Sequence, residues 1–165
     1  MSGKGFEVVD HDNDDIFEFH EESSQQEGLL RCIYRQKVTY RYAVGTYTKG
    51  EIRKEQCCCC LPRYTILKRP RGSTVLTWDR KERELTPRFK IHPRPRWLVG
   101  CLPFPCVCCS KSFPPYEIFH ADDRPSQDIP SGHILSTCIT YPIDALEDEK
   151  ICILGSKVLI NNDYL

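Results

Sequence analysis

The chain has 165 residues, enough for a single domain with a buried core, and its 23 basic and 23 acidic side chains give a formal net charge of zero. The balance is uneven: residues 1–28 hold nine acids against one lysine, residues 29–111 nineteen lysines and arginines against five acids, and residues 112–165 nine acids against three basic residues. A basic middle between acidic ends points to an anionic surface as partner, or to ends that neutralise the middle internally; no apolar run approaches about eighteen residues, which excludes an ordinary membrane-spanning helix.

The acidic start, without an apolar run, predicts no secretory leader, and therefore reduced cysteines. Ser2 stands where N-myristoylation needs glycine. Phe6-Glu7-Val8-Val9 and Ile16-Phe17-Glu18-Phe19 read as a hairpin across the polar residues 10–15. Residues 23–28 read as a loop. Residues 29–44 are rich in β-formers (Ile33, Tyr34, Val38, Thr39, Tyr40, Tyr42), with a turn placed at Arg35-Gln36-Lys37 and another at 46–50. Further strands are predicted at 63–67, 74–78, 89–91, 97–99, 116–119 and 133–140, about ten to twelve in all. Asp144 is the predicted N-cap of a closing helix over 144–160, with Glu147 at its third position. Residues 151–160 are apolar almost all round, as in a buried helix. Ile151, Ile153, Leu154, Val158, Leu159 and Ile160 are its predicted core side chains. Many strands and one apolar helix fit a barrel filled by its own helix. The whole chain, 1–165, reads as one domain, with 1–5 and 22–28 flexible.

Eight of the eleven cysteines fall into two knots: Cys57, Cys58, Cys59 and Cys60, then Cys101, Cys106, Cys108 and Cys109. Alternate residues of a strand face opposite ways, so four in a row cannot line one core. Adjacent cysteines rarely reach disulfide geometry. Thioester acylation at a membrane surface or metal binding remains, against inert thiols. Arg53, Lys54, Arg63, Lys68, Arg69 and Arg71 flank the first knot and would reinforce an acyl anchor on anionic lipid. The second knot reads as unmodified thiols, a further acylation patch at Cys106, Cys108 and Cys109, or a zinc site with His92. Its spacing is not that of a standard finger, so the zinc signal is weak. Arg69, Arg71, Arg94 and Arg96 are candidates for headgroup phosphate, against solvated turns and, less favoured, nucleic acid stacked on Trp97. The histidines are scattered, and Asp10, Asp12, Asp14 and Asp15 lack the glycine and glutamate of a calcium loop. No nucleophile elbow, phosphate loop or dinucleotide fingerprint is present. No catalytic residue is assigned, and no enzyme is expected.

In order along the chain, several segments resemble the phospholipid scramblases. Phe6-Glu7-Val8 looks like their opening strand, and Cys57 to Cys60 like their acylated stretch. Trp78 stands at their Gln-x-Trp, and Thr86-Pro87-Arg88-Phe89-Lys90-Ile91 looks like their Leu-Pro-Lys-Phe strand. Pro105-Cys106-Val107-Cys108-Cys109-Ser110 resembles their cysteine tract, followed by Tyr116-Glu117-Ile118. Tyr141-Pro142-Ile143-Asp144 resembles their step into the last helix, and Leu154-Gly155-Ser156 its register. The resemblance implies a mainly β, tubby-like fold: a closed antiparallel barrel of about twelve strands around a buried C-terminal helix. It also implies palmitoylation and movement of lipid between leaflets at the cytoplasmic face of the plasma membrane, with a cytoplasmic or nuclear pool. Two departures stand out. Ile134 to Thr140 carries no carboxylate where the family has its calcium-binding segment, so no calcium or other cofactor is expected. Lys157 interrupts the apolar helix. The leading expectation is a scramblase-like protein that moves or binds phospholipids, with the anionic membrane as partner and lipid as the sole small-molecule substrate. The alternatives are a non-transporting lipid-binding or protein-interaction adaptor on the same barrel, then a zinc-binding interaction protein.

Overall fold

The computed structural model describes residues 5–9, 16–30, 33–44, 47–57, 61–68, 85–94, 115–122 and 129–164. The strands among them are β1 (Gly5–Val9), β2 (Ile16–Leu30), β3 (Ile33–Val44), β4 (Tyr47–Cys57), β5 (Arg63–Lys68), β6 (Thr86–Pro93), β7 (Tyr116–His120), β8 (Gly132–Ile134) and β9 (Ile139–Thr140). They form one antiparallel sheet in which each strand pairs with its neighbours in the chain. One helix among the described residues, α1 (Glu147–Tyr164), follows.

Alternation decides which side faces in. On β2, Phe19 is buried while Glu18 and His20 are exposed; on β6, Phe89 and Ile91 are buried while Lys90 between them is exposed. Register carries this across the sheet: Tyr40 pairs with Ile52, Ile52 with Ile66, and Ile66 with Phe89. The next inward row runs from Tyr64 to Ile91 to Ile118. Inward residues of β1 through β8 and the buried face of α1 form one core cluster. Eight strands laid flat would span about 34 Å, against about 10 Å for a helix, so sharing one helical core requires the sheet to curl. The approach is close at Gly155, where a Cβ would lie 2.6 Å from Phe19 Cζ, and at Gly50, where it would lie 2.8 Å from Cys152 Sγ.

The mainly β architecture with one closing helix agrees with expectation. The sheet is not closed: among the described residues β1 pairs only with β2, and β9 only with β8. Residues 23–28 are not a loop but the second half of β2, paired to β3 after a register shift between Glu21 and Ser23. A polar run becomes strand when a long partner supplies its main-chain hydrogen bonds. Arg35, Gln36 and Lys37 likewise continue β3 without a turn, and β4 starts at Tyr47, inside the segment read as the second turn. The predicted strand over 133–140 is a tight hairpin of two short strands, β8 and β9. The helix starts three residues later than predicted and ends four residues later, at Tyr164. The strands predicted at 74–78 and 97–99 lie outside the described residues.

Candidate functional site

Both ends of α1 are tied to the sheet by ionic side chains. At the N-terminal end Glu149 is 2% exposed, and its Oε1 lies 3.1 Å from Arg88 Nε and 3.5 Å from Lys68 Nζ. Its other oxygen accepts the Leu146 backbone N–H at 2.8 Å. That is the returning half of a capping box, made by the third helical residue. Glu149 therefore takes the role predicted for Glu147, and the chain turns into the helix at Leu146 rather than Asp144. Asp144 is drawn off instead into an ion pair 3.2 Å from Arg88 Nη2, with His120 Nε2 3.5 Å from its other carboxylate oxygen. Arg88 also sits over the Phe89 ring at 5.3 Å.

At the other end Asp163 accepts from Lys54 Nζ at 2.5 Å and from the Tyr64 hydroxyl at 3.0 Å. An acid in the last turn opposes the helix dipole, and the Lys54 ammonium offsets it. Burial, then Asp163, pushes the Tyr64 hydroxyl well above the usual tyrosine range. Burial, then Glu21 and Asp163, pushes Tyr40 up to about 12. Between the two ends Cys152 is 1% exposed. Burial, then Asp148, Glu149 and Glu51, raises its thiol well above the usual cysteine range, and its sulfur packs against Gly50 of β4. Of the six helix side chains predicted as core, Ile151, Ile153, Leu159 and Ile160 are buried, while Leu154 and Val158 are only half-buried.

The outward face carries the cations nearest the first cysteine knot. In register, Lys37 pairs with Glu55 and Glu55 with Arg63; one step on, Thr39 pairs with Arg53 and Arg53 with Thr65. Arg53 and Arg63 are exposed, and Arg53 Nη2 lies 3.8 Å from Glu51 Oε2. Cys57 is the last residue of β4, paired in register with Arg35 beyond the last rung shared with β5. Lys54, counted from sequence among the flanking cations, is turned inward to Asp163. Arg94 is exposed, with Nε 3.3 Å from Glu117 Oε1, so a phosphate there would compete with a carboxylate. Cys58, Cys59, Cys60, Cys101, Cys106, Cys108, Cys109, Arg69, Arg71 and Arg96 lie outside the described residues.

The β8–β9 hairpin exposes Ser136, Thr137 and Cys138. Among the described residues no three His, Cys, Asp or Glu side chains come together as a metal site. His92 stands on β6 with its ring edge-on to Phe119 at 6.1 Å. No helix among them is long and apolar enough to cross a membrane. Sequence reading missed the clamp residues Glu149, Arg88, Lys68, Asp163, Lys54 and Tyr64. Strand parity could have found two of them, because Lys54 shares its face with Ile52, and Tyr64 with Ile66. Comparisons with protein-family models, with curated proteins and with solved structures find no match to this chain.

Proposed function

We propose that this protein is a scramblase-like protein of the membrane surface. Acylated cysteines (Cys57 to Cys60, with Cys106, Cys108 and Cys109) hold it at the cytoplasmic face of the plasma membrane, where it binds or moves phospholipid. One observation supports this most: β4 ends at Cys57, the first of four consecutive cysteines, beside an outward face bearing Lys37, Arg53 and Arg63. Each buried CH₂ of an acyl chain contributes about 0.8 kcal/mol, and one chain holds only marginally. Each cation near anionic lipid adds about 1 kcal/mol, so cysteine and cationic face act together. In this reading the sheet completes a closed barrel of about twelve strands, and any lipid movement comes from a lowered barrier to headgroup passage, not from covalent chemistry.

The test is fractionation of cells expressing the wild type or the variant with Cys57, Cys58, Cys59 and Cys60 all changed to Ser. Wild type is expected in the membrane fraction with hydroxylamine-labile mass on the cysteines, and the variant in the soluble fraction. A soluble, unmodified wild type refutes the anchor. The adaptor reading is favoured by α1, which is clamped at both ends, and by the hairpin without carboxylates. Vesicles reconstituted with a labelled phospholipid, with and without calcium, separate the two: redistribution across leaflets supports transport, and binding without redistribution the adaptor.

A further inference from the structure

Of the chain's twelve prolines, Pro87 alone follows a serine or threonine. The Thr86-Pro87 pair opens β6, and both residues are exposed. The ladder to β5 is irregular at this point. Thr86 pairs with Lys68 and Pro87 with Leu67, but Phe89 already pairs with Ile66, which leaves Arg88 as the extra residue. Proline has no N–H to give the ladder, so this end of β6 opens at less cost than its middle. The residue before a proline is also held extended, the form in which a kinase threads its substrate.

The surroundings of Thr86 give a phosphate something to act on. Its hydroxyl donates to the Lys68 carbonyl at 3.4 Å, and the Lys68 ammonium lies 3.5 Å from Glu149 Oε1. Arg88, two residues on, holds both Glu149 and Asp144. These two cations and two carboxylates balance, and Glu149, as a buried charge, depends on the balance. His120 borders Asp144, and Glu147 and Asp148 add further negative charge in the first turn of α1. We propose that Thr86 is a phosphorylation site for a proline-directed kinase, and that its phosphate unlocks the N-terminal end of α1. The hydroxyl oxygen bonds to the γ-phosphorus of ATP, and the bond from that phosphorus to the β–γ bridging oxygen breaks. ADP leaves, and the hydroxyl proton passes to the kinase's base. The product sets about two negative charges and three acceptor oxygens on the residue opposite Lys68. Lys68 and Arg88 turn to the phosphate, Glu149 loses its counter-charges, and the first turn of α1 comes away from β5 and β6. This requires neither acylation nor lipid movement.

The test incubates the full chain with ATP and a mitogen-activated protein kinase, then follows intact mass and amide hydrogen exchange. One phosphoryl group is expected, mapped to Thr86 and absent from Thr86→Val. The amides of Leu146 and Lys150, hydrogen-bonded at the start of the helix, should then exchange about tenfold faster. Those of β2 and β3 should keep their protection, which general unfolding would not allow. Glu149→Gln leaves no buried charge to strand, so in that variant the phosphate should change the same amides by less than about twofold. The proposal is overturned if the folded chain takes no phosphate, if the phosphate sits on another residue, or if exchange at Leu146 and Lys150 is unchanged or slower. Equal acceleration in Glu149→Gln overturns it as well, because the ionic clamp then plays no part.

Discussion

Ile153 and Leu154 are consecutive aliphatic residues of α1, yet they belong to two different sides of the molecule. Ile153 is fully buried in the core, and Leu154 is half-buried and packed against its margin. The side walled by the sheet is apolar through its middle and closed at both ends by charge. The half-buried side is mixed, with Lys150 and Lys157 bracketing Leu154. Composition along the helix does not reveal the division; only the curl of the sheet does.

The largest expected effect lies on the walled side. Ile153→Ala should cost about 3–4 kcal/mol in urea unfolding, because the surrounding wall collapses poorly into the space left. Glu149→Gln keeps the shape but removes the charge facing Arg88 and Lys68, and should cost about 2 kcal/mol, with the loss shrinking in high salt. Leu154→Ala should cost only about 1 kcal/mol, since part of its surface already meets water. Equal losses at positions 153 and 154 would erase the distinction between the two sides.

The smallest effect appears only in alkali. Tyr40 keeps its proton up to about 12 in the folded chain, against 10.0 for the ordinary group. The unfolded chain therefore releases that proton first, and stability falls as pH rises from about 10 to 12. Tyr64, Tyr141 and Cys152 are raised as well and push the same way. Thermal unfolding followed by circular dichroism should show a midpoint that drops across this window, less steeply in Tyr40→Phe. A flat profile would mean that the tyrosines bordering the core are open to solvent.

The fold was legible where alternation was strong. Phe17 with Phe19, Tyr64 with Ile66, and Phe89 with Ile91 all read as strands from spacing alone, and the apolar run from Ile151 read as a buried helix. The polar second half of β2 did not, because its strand character comes from pairing with β3, which sequence does not display. The helix start was misplaced for a related reason. Asp144 has the better capping chemistry in isolation, but Arg88 and His120, distant in sequence, engage its carboxylate. Lys157 read as an interruption of a buried helix; it is an interruption only if every side of that helix is walled. The cationic face beside Cys57 was partly legible: Arg53 and Arg63 were named from sequence, Lys37 joins them only through register, and Lys54 turns away.

The order of elements has a consequence for biogenesis. Since α1 follows the nine strands of the described residues, a ribosome delivers the greasy lining of the sheet before the segment that fills it. Neighbour-to-neighbour pairing lets the strands zip up early, with few distant encounters. The nascent chain therefore passes through a stage with its hollow side wet and adhesive, where chaperones would act and where truncations upstream of Glu147 would aggregate.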